Sequence, residues 1–182
     1  MTVDLFAVAQ AIADKERELH ALRSLLARAR QQTQVPDGEF VALRCSLAGS
    51  TVAIAATQIR EVVQMAELTQ LPGAAPWFAG LLTIGEERIA VLDLAATDSG
   101  VPRPRDPSEF VVLLNATDSV TGLVVDALLD LVTLDGEKVH RPDPELPFGP
   151  HVIGVTSIGG ESVLLLSAAA LASEPASVGD VP

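Results

Sequence analysis

Asp98 follows an apolar run and is followed by serine and glycine, Leu94-Ala95-Ala96-Thr97-Asp98-Ser99-Gly100. This arrangement could supply one carboxylate of an aspartic-peptidase pair, chemistry that needs two carboxylates sharing one site. The only echo, Ala116-Thr117-Asp118-Ser119-Val120, lacks the glycine and falls at an expected hairpin tip. A mate for Asp98 could therefore come only from a homodimer, and Asp98 reads better as a solvated turn residue. His20, His140 and His151 are dispersed, with no Cys or Glu at ligand spacing, so no metal site is expected. No strand-Ser-helix elbow supports a Ser-His-Asp triad, and neither helix nor Lys follows Gly159-Gly160 to make a phosphate loop. Cys45 alternates in phase with Val41, Leu43 and Leu47, which places it on the buried face of a strand rather than in a nucleophile's electropositive setting.

With catalysis unsupported, the elements themselves carry the reading. The 182 residues are 48% hydrophobic but only 3% aromatic, without Tyr, so the interior must be built from Val, Leu, Ile and Ala. Such a composition suits small curved sheets better than a cofactor cavity, and no cofactor is expected. One cysteine excludes a disulfide framework. No run reaches the length of a membrane span and no secretory signal opens the chain, so a cytoplasmic location is expected. Residues 1–34 carry a net charge of +1 and the rest −13. An acidic body repels phosphate, which argues against nucleic acid as a partner.

From Asp4 to Gln32 there is neither Gly nor Pro, and helix formers dominate. An N-terminal α-helix is expected within 1–35, about 43 Å long at ~1.5 Å per residue. Leu5, Ile12, Leu19 and Leu26 recur every seven residues; Val8, Lys15, Leu22 and Ala29 fill the complementary offset. This is a candidate coiled-coil seam. It can pack on its own domain, pair with a second copy or dock on another protein's helix. Early acidic residues and the late Arg23, Arg28 and Arg30 agree with the helix dipole. Val35-Pro36-Asp37-Gly38 ends the helix as a hinge.

The body repeats itself. Phe40-Val41-Ala42-Leu43 is echoed by Phe110-Val111-Val112-Leu113, with Thr51/Thr121, Ile54/Val124 and Val62/Val132 in the same register. Gly80 to Leu92 (GLLTIGEERIAVL) then matches Gly154 to Leu166 (GVTSIGGESVLLL). Two ordered matches indicate duplication, with a first copy at about 40–97 and a second at about 110–172. Each copy contains two hairpins, so the body over 36–172 is expected to be all-β, two small barrels with only short helices. Pro-rich stretches at 101–107 and 141–150 mark the crossing between copies and a loop within the second, and 173–182 reads as a disordered tail.

Three blocks in the first copy, Ile59 to Val63 (IREVV), Leu68 to Gly80 (LTQLPGAAPWFAG) and Ile89 to Leu94 (IAVLDL), resemble the CheW family of chemotaxis coupling proteins in order and spacing. The second copy adds Gly122 to Asp126 (GLVVD), Val132, and Ile153 to Val155, so the resemblance covers roughly residues 39 to 172. It implies two SH3-like five-stranded barrels packed on a shared core, with no catalytic site. The implied role is an adaptor that couples the regulatory domain of a chemosensory histidine kinase to chemoreceptor tips, recruited to membrane-associated arrays. The alternative is a divergent member organising a motility or localisation complex. By the same resemblance, Ile59, Glu61 and Val62, with Gly122, Val125 and Asp126, flank a groove for a helical partner. The family usually has an Arg-Gly pair in the next hairpin. Here Gly85 and Glu86 take those positions, followed by Glu87, so an acidic tip replaces a basic one and implies a divergent partner. Trp77 is expected to anchor an interface or to close the first barrel as a lid.

Overall fold

The computed structural model describes residues 34–99, 103–116 and 119–173. The helix expected at 1–35, its seam Leu5, Ile12, Leu19, Leu22 and Leu26, and the tail beyond Ser173 lie outside the described residues, save Gln34 and Val35.

Ten strands follow in order: β1 Glu39–Leu47, β2 Ser50–Ala55, β3 Ile59–Gln64, β4 Phe78–Ile84, β5 Glu87–Leu92, β6 Phe110–Ala116, β7 Ser119–Val125, β8 Ala127–Asp135, β9 Val152–Ile158 and β10 Glu161–Leu166. Two five-residue helices, α1 Ala95–Ser99 and α2 Ala168–Ala172, close the two halves. The strands form two five-stranded sheets, A in the order β8-β1-β2-β10-β9 and B in the order β3-β6-β7-β5-β4. The expectation of a mainly β body with short helices is met in this form.

Repeat and sheet do not coincide. Sheet A takes β1 and β2 from the first copy and β8, β9 and β10 from the second; sheet B takes the complementary set. Replacing every strand by its counterpart in the other copy converts one sheet order into the other. The exchange is made by parallel pairs, β2 with β10 and β5 with β7, and by antiparallel pairs, β1 with β8 and β3 with β6. Each sheet is therefore built from both copies.

This arrangement gives three cores. Because side chains alternate across a strand, β6 sends Val112 and Leu114 to a core shared between the sheets and Val111 and Leu113 to one inside sheet B. On sheet A, Val52, Ile54, Leu164 and Leu166 meet the shared core, while Ala53, Val163 and Leu165 face that sheet's own interior. Strands buried on both faces read as unbroken apolar runs, which is why Val111–Leu114 and Val163–Leu166 show no alternation.

Each sheet has a point where the chain leaving its edge strand returns to the opposite edge. After β3, Thr69 bridges Leu81 of β4; after β8, His140 bridges Val155 of β9, each through paired N–H to O=C bonds of 2.8–2.9 Å. The neighbouring Gly80 and Gly154 are the equivalent glycines with which the second repeat match begins. A Cβ on Gly80 would stand 2.9 Å from the Leu68 Cβ and 3.0 Å from the Thr69 carbonyl oxygen, and one on Gly154 would stand 2.2 Å from a Val139 methyl. The repeat conserves the crossing as well as the strands.

Cys45 is fully buried in the shared core, and burial pushes its thiol up to about 12. We expect no modification by a thiol reagent at pH 8 until denaturant unfolds the chain. Thiol titration in increasing urea checks this, and rapid labelling of the native protein would contradict it. The in-phase expectation for Val41 is corrected: Leu47 is buried with Cys45, but Val41, nearer the start of β1, is exposed. Asp98 lies in α1 rather than in a linker turn.

Candidate functional site

The residues expected to meet a partner divide into two groups. Ile59, Glu61 and Val62 lie on β3, the edge of sheet B, where a bulge between Ile59 and Glu61 leaves Arg60 as the extra residue. Ile59 and Val62 are half-buried and pack against the shared core, whereas Glu61 is exposed. From the bulge, the Arg60 guanidinium donates to both carboxylate oxygens of Glu87 at 2.8 and 3.0 Å and lies 3.7 Å from Glu61. Hydrogen bonding and charge from Glu87 raise the Arg60 pKa. Glu61, Arg60 and Glu87 thus form one exposed charged cluster beside an apolar margin.

The β4–β5 turn consists of Gly85 and Glu86, since Ile84 pairs with Glu87. Gly85 has φ +60°, a value favoured by glycine, as at Gly159 in the equivalent hairpin. Turn geometry therefore accounts for glycine here. Glu86 is exposed at the tip.

The second group does not join the first. Gly122 and Val125 lie on β7, separated from β3 by β6. Val125 is fully buried in the shared core. A Cβ on Gly122 would stand 2.8 Å from a Val111 methyl and 3.0 Å from a Val91 methyl, inside sheet B. Both serve packing. Asp126 is half-buried, and its Oδ2 accepts the Ala48 N–H of the β1–β2 turn at 2.6 Å while Oδ1 accepts from Arg103 at 3.1 Å. Its carboxylate is engaged in joining the two sheets.

Asp126 belongs to a network built by the segment between the copies. The Arg103 guanidinium also reaches Asp93 at 2.9 Å and Glu109 at 2.6 Å, and Arg105 pairs with Asp93 as well. Asp93 is 1% exposed and Glu109 3%. Burial lowers the Arg103 pKa, but hydrogen bonding to Asp93 and the charges of Asp93, Glu109 and Asp126 outweigh it and raise the value. In the sequence, the Pro-rich stretch 101–107 marks only a crossing between the copies. A lone carboxylate inside the apolar run Ile89 to Leu94, with two arginines ten and twelve residues later, was the available signal.

Trp77 is half-buried against the shared core and lines a cavity of about 340 Å³ with Leu92 and Leu94 of the first copy and Leu146, Phe148 and His151 of the second. It closes the junction between the copies rather than the first barrel alone. The 141–150 loop supplies Phe148, buried with φ +66°. Among the described residues, no three His, Cys, Asp or Glu side chains gather as metal ligands would.

These features define a duplicated β module with two exchanged sheets and a charged edge strand. The family model for the CheW-like domain matches residues 42–176, and the chain belongs to the CheW-like family. It is 24% identical over 141 residues to the probable chemotaxis protein CheW of Rhizobium etli, covering 76% of this chain and 89% of that protein. Among solved structures it resembles the scaffolding protein TtCheW from Thermoanaerobacter tengcongensis, with a TM-score of 0.65 and 19% identity over 73% of this chain and 86% of that one.

Proposed function

We propose that this chain is a non-catalytic adaptor of chemotaxis-type signalling, coupling a chemosensory histidine kinase, through that kinase's regulatory domain, to chemoreceptor tips. The family match spanning both repeats carries this reading, since it takes in all of the two-sheet body but the first three residues of β1. The relatives named chemotaxis and scaffolding proteins support it. In this reading each sheet is an SH3-like barrel, closed where Thr69 meets Leu81 or His140 meets Val155. The protein works in the cytoplasm beside membrane-associated arrays. Among the described residues, no helix is long and apolar enough to cross a membrane.

The β3 edge is the contact we assign, with Glu61 giving charge selectivity and Ile59 and Val62 the apolar margin. Titration calorimetry of the full chain against a chemosensory kinase's regulatory domain, and separately against a soluble receptor tip, tests this. The Glu61→Arg variant should weaken one of the two by about tenfold or more without changing thermal stability. Binding to neither would sink the coupling reading. Equal binding by the variant would move the contact off β3.

A second reading, an adaptor of a motility or localisation complex, is favoured by the Gly85-Glu86 turn and its acidic tip. Under it the chemosensory kinase domain fails to bind, and a partner with a basic docking surface takes its place.

A further inference from the structure

Leu146, in the loop between β8 and β9, lines two hollows at once. One is the cavity of about 340 Å³ between the copies, walled by Trp77, Leu92, Leu94 and Phe148. Its volume falls within the range of small-molecule sites, and aromatic and aliphatic side chains are the usual lining of such sites. Thr97 and Pro150 are exposed at its rim, so it opens to solvent. The walls are preset. Phe148 is buried at φ +66°, a left-handed value that strains a bulky residue, and strain of this kind collects at ligand sites. Two turns hold the loop that carries it, with the Leu146 N–H donating to the Asp143 carbonyl at 3.1 Å and the Gly149 N–H to the Leu146 carbonyl at 3.2 Å. Prolines at 142, 144, 147 and 150 stiffen the same stretch.

The other hollow is an open groove of about 680 Å³ beside β9 and the β9–β10 turn, lined by Lys138, His140 and Arg141 with the hydroxyl-bearing Thr156, Ser157 and Ser162. The one carboxylate in its lining, Asp143, accepts the Glu145 N–H at 3.0 Å. Arg44, Arg60, Arg103 and Arg105 are each engaged by a carboxylate in a hydrogen-bonded ion pair. Of the three other Lys and Arg side chains after residue 34, two line this groove: Arg141, which is exposed, and Lys138, which is 79% exposed and meets Asp135 at 3.3 Å. Cations beside an apolar cavity, on an otherwise acidic body, select a ligand with one anionic head and an apolar tail.

We propose that the junction between the copies binds a free amphipathic carboxylate of the medium-chain fatty acid class, its tail in the cavity against Trp77 and Phe148 and its carboxylate beside Arg141 and Lys138. The small volume of the cavity limits the length of the tail. Leu146, shared by both hollows, marks where tail gives way to head. Trp77, Leu92 and Leu94 come from the first copy and Leu146 and Phe148 from the second, so the site exists only where the two copies meet.

Trp77 is the only tryptophan and the chain has no tyrosine, so its emission reports on this cavity alone. The test titrates the full chain with octanoate, decanoate and dodecanoate, each below its micelle concentration, and follows that emission. We expect a saturable one-to-one change, with affinity rising about fourfold per added methylene until the cavity is full. The variant Lys138→Gln/Arg141→Gln, altered at two exposed positions, should weaken the acids about fivefold and leave the binding of decanol unchanged. No emission change with any acid, or a response that does not saturate, overturns the proposal. Equal weakening of acid and alcohol in the variant, or of neither, removes the assigned head position and overturns it too. So does a change seen with anionic phosphatidylglycerol vesicles but with no free acid, because the ligand is then a membrane surface. None of these results bears on the kinase titration, so this proposal and the coupling reading fail separately.

Discussion

Replacing Arg103 by alanine is expected to lower the unfolding free energy by about 3–5 kcal/mol, the cost of stranding buried carboxylates. Glu109 loses its ion-pair partner outright, Asp93 keeps Arg105 and the Ala95 N–H, and Asp126 loses its cation while still accepting the Ala48 N–H of the β1–β2 turn. Most of the loss comes from uncompensated charge rather than from a missing contact. Adding Glu109→Gln in the Arg103→Ala background should therefore recover part of the stability, whereas Glu109→Gln alone should destabilise. Urea unfolding of the four proteins measures the cycle. Equal midpoints for wild type and Arg103→Ala would mean the network is solvated and contributes nothing.

The Gly80→Ala variant should lose about 3 kcal/mol, combining a side chain forced to positive φ with overpacking at the crossing. Gly80 has φ +139°, and its added Cβ meets the Leu68 side chain and the Thr69 carbonyl oxygen. At the equivalent Gly154, φ is not positive and the close neighbour is a Val139 methyl, so there sterics act alone. Combining Gly154→Ala with Val139→Ala should thus regain stability relative to Gly154→Ala. A Gly80 variant has no such rescue, because part of its cost lies in the backbone. Thermal unfolding of these variants, with Gly80→Ala/Leu68→Ala added, separates the two causes, and full recovery in the Gly80 pair or none in the Gly154 pair contradicts it.

Much of the fold was legible because it is written locally. Glycine pairs and polar tips mark the hairpins, and the matched runs beginning at Phe40 and Phe110 mark the duplication. The exchange of strands was not legible. Equivalent strands have the same apolar pattern, so nothing in β8 says whether it pairs with β6 of its own copy or with β1 of the other; the choice is made by contacts some 90 residues apart. The charged β3 cluster was legible in Glu61 and Glu87 but not in their link, since Arg60 reaches Glu87 only because a bulge frees it. Asp126 shows the limit of reasoning from residue type. Isolated carboxylates favour the surface, yet this one is not isolated once Arg103 comes back to it. Val41 shows another: alternation fixes which way a side chain points, not whether anything stands opposite.

The exchange of strands also bears on how such a chain can be divided. One repeat taken by itself contributes two strands to one sheet and three to the other, so a half-length polypeptide can complete neither sheet alone. Two identical halves, however, would complete both, each lending β1- and β2-type strands to one sheet and the remaining three to its neighbour, around a two-fold axis. The single chain has the strand order that such a pair would have with its halves joined end to end. Its 103–107 segment acts as the splice that turns a bimolecular assembly, dependent on concentration, into one that is not.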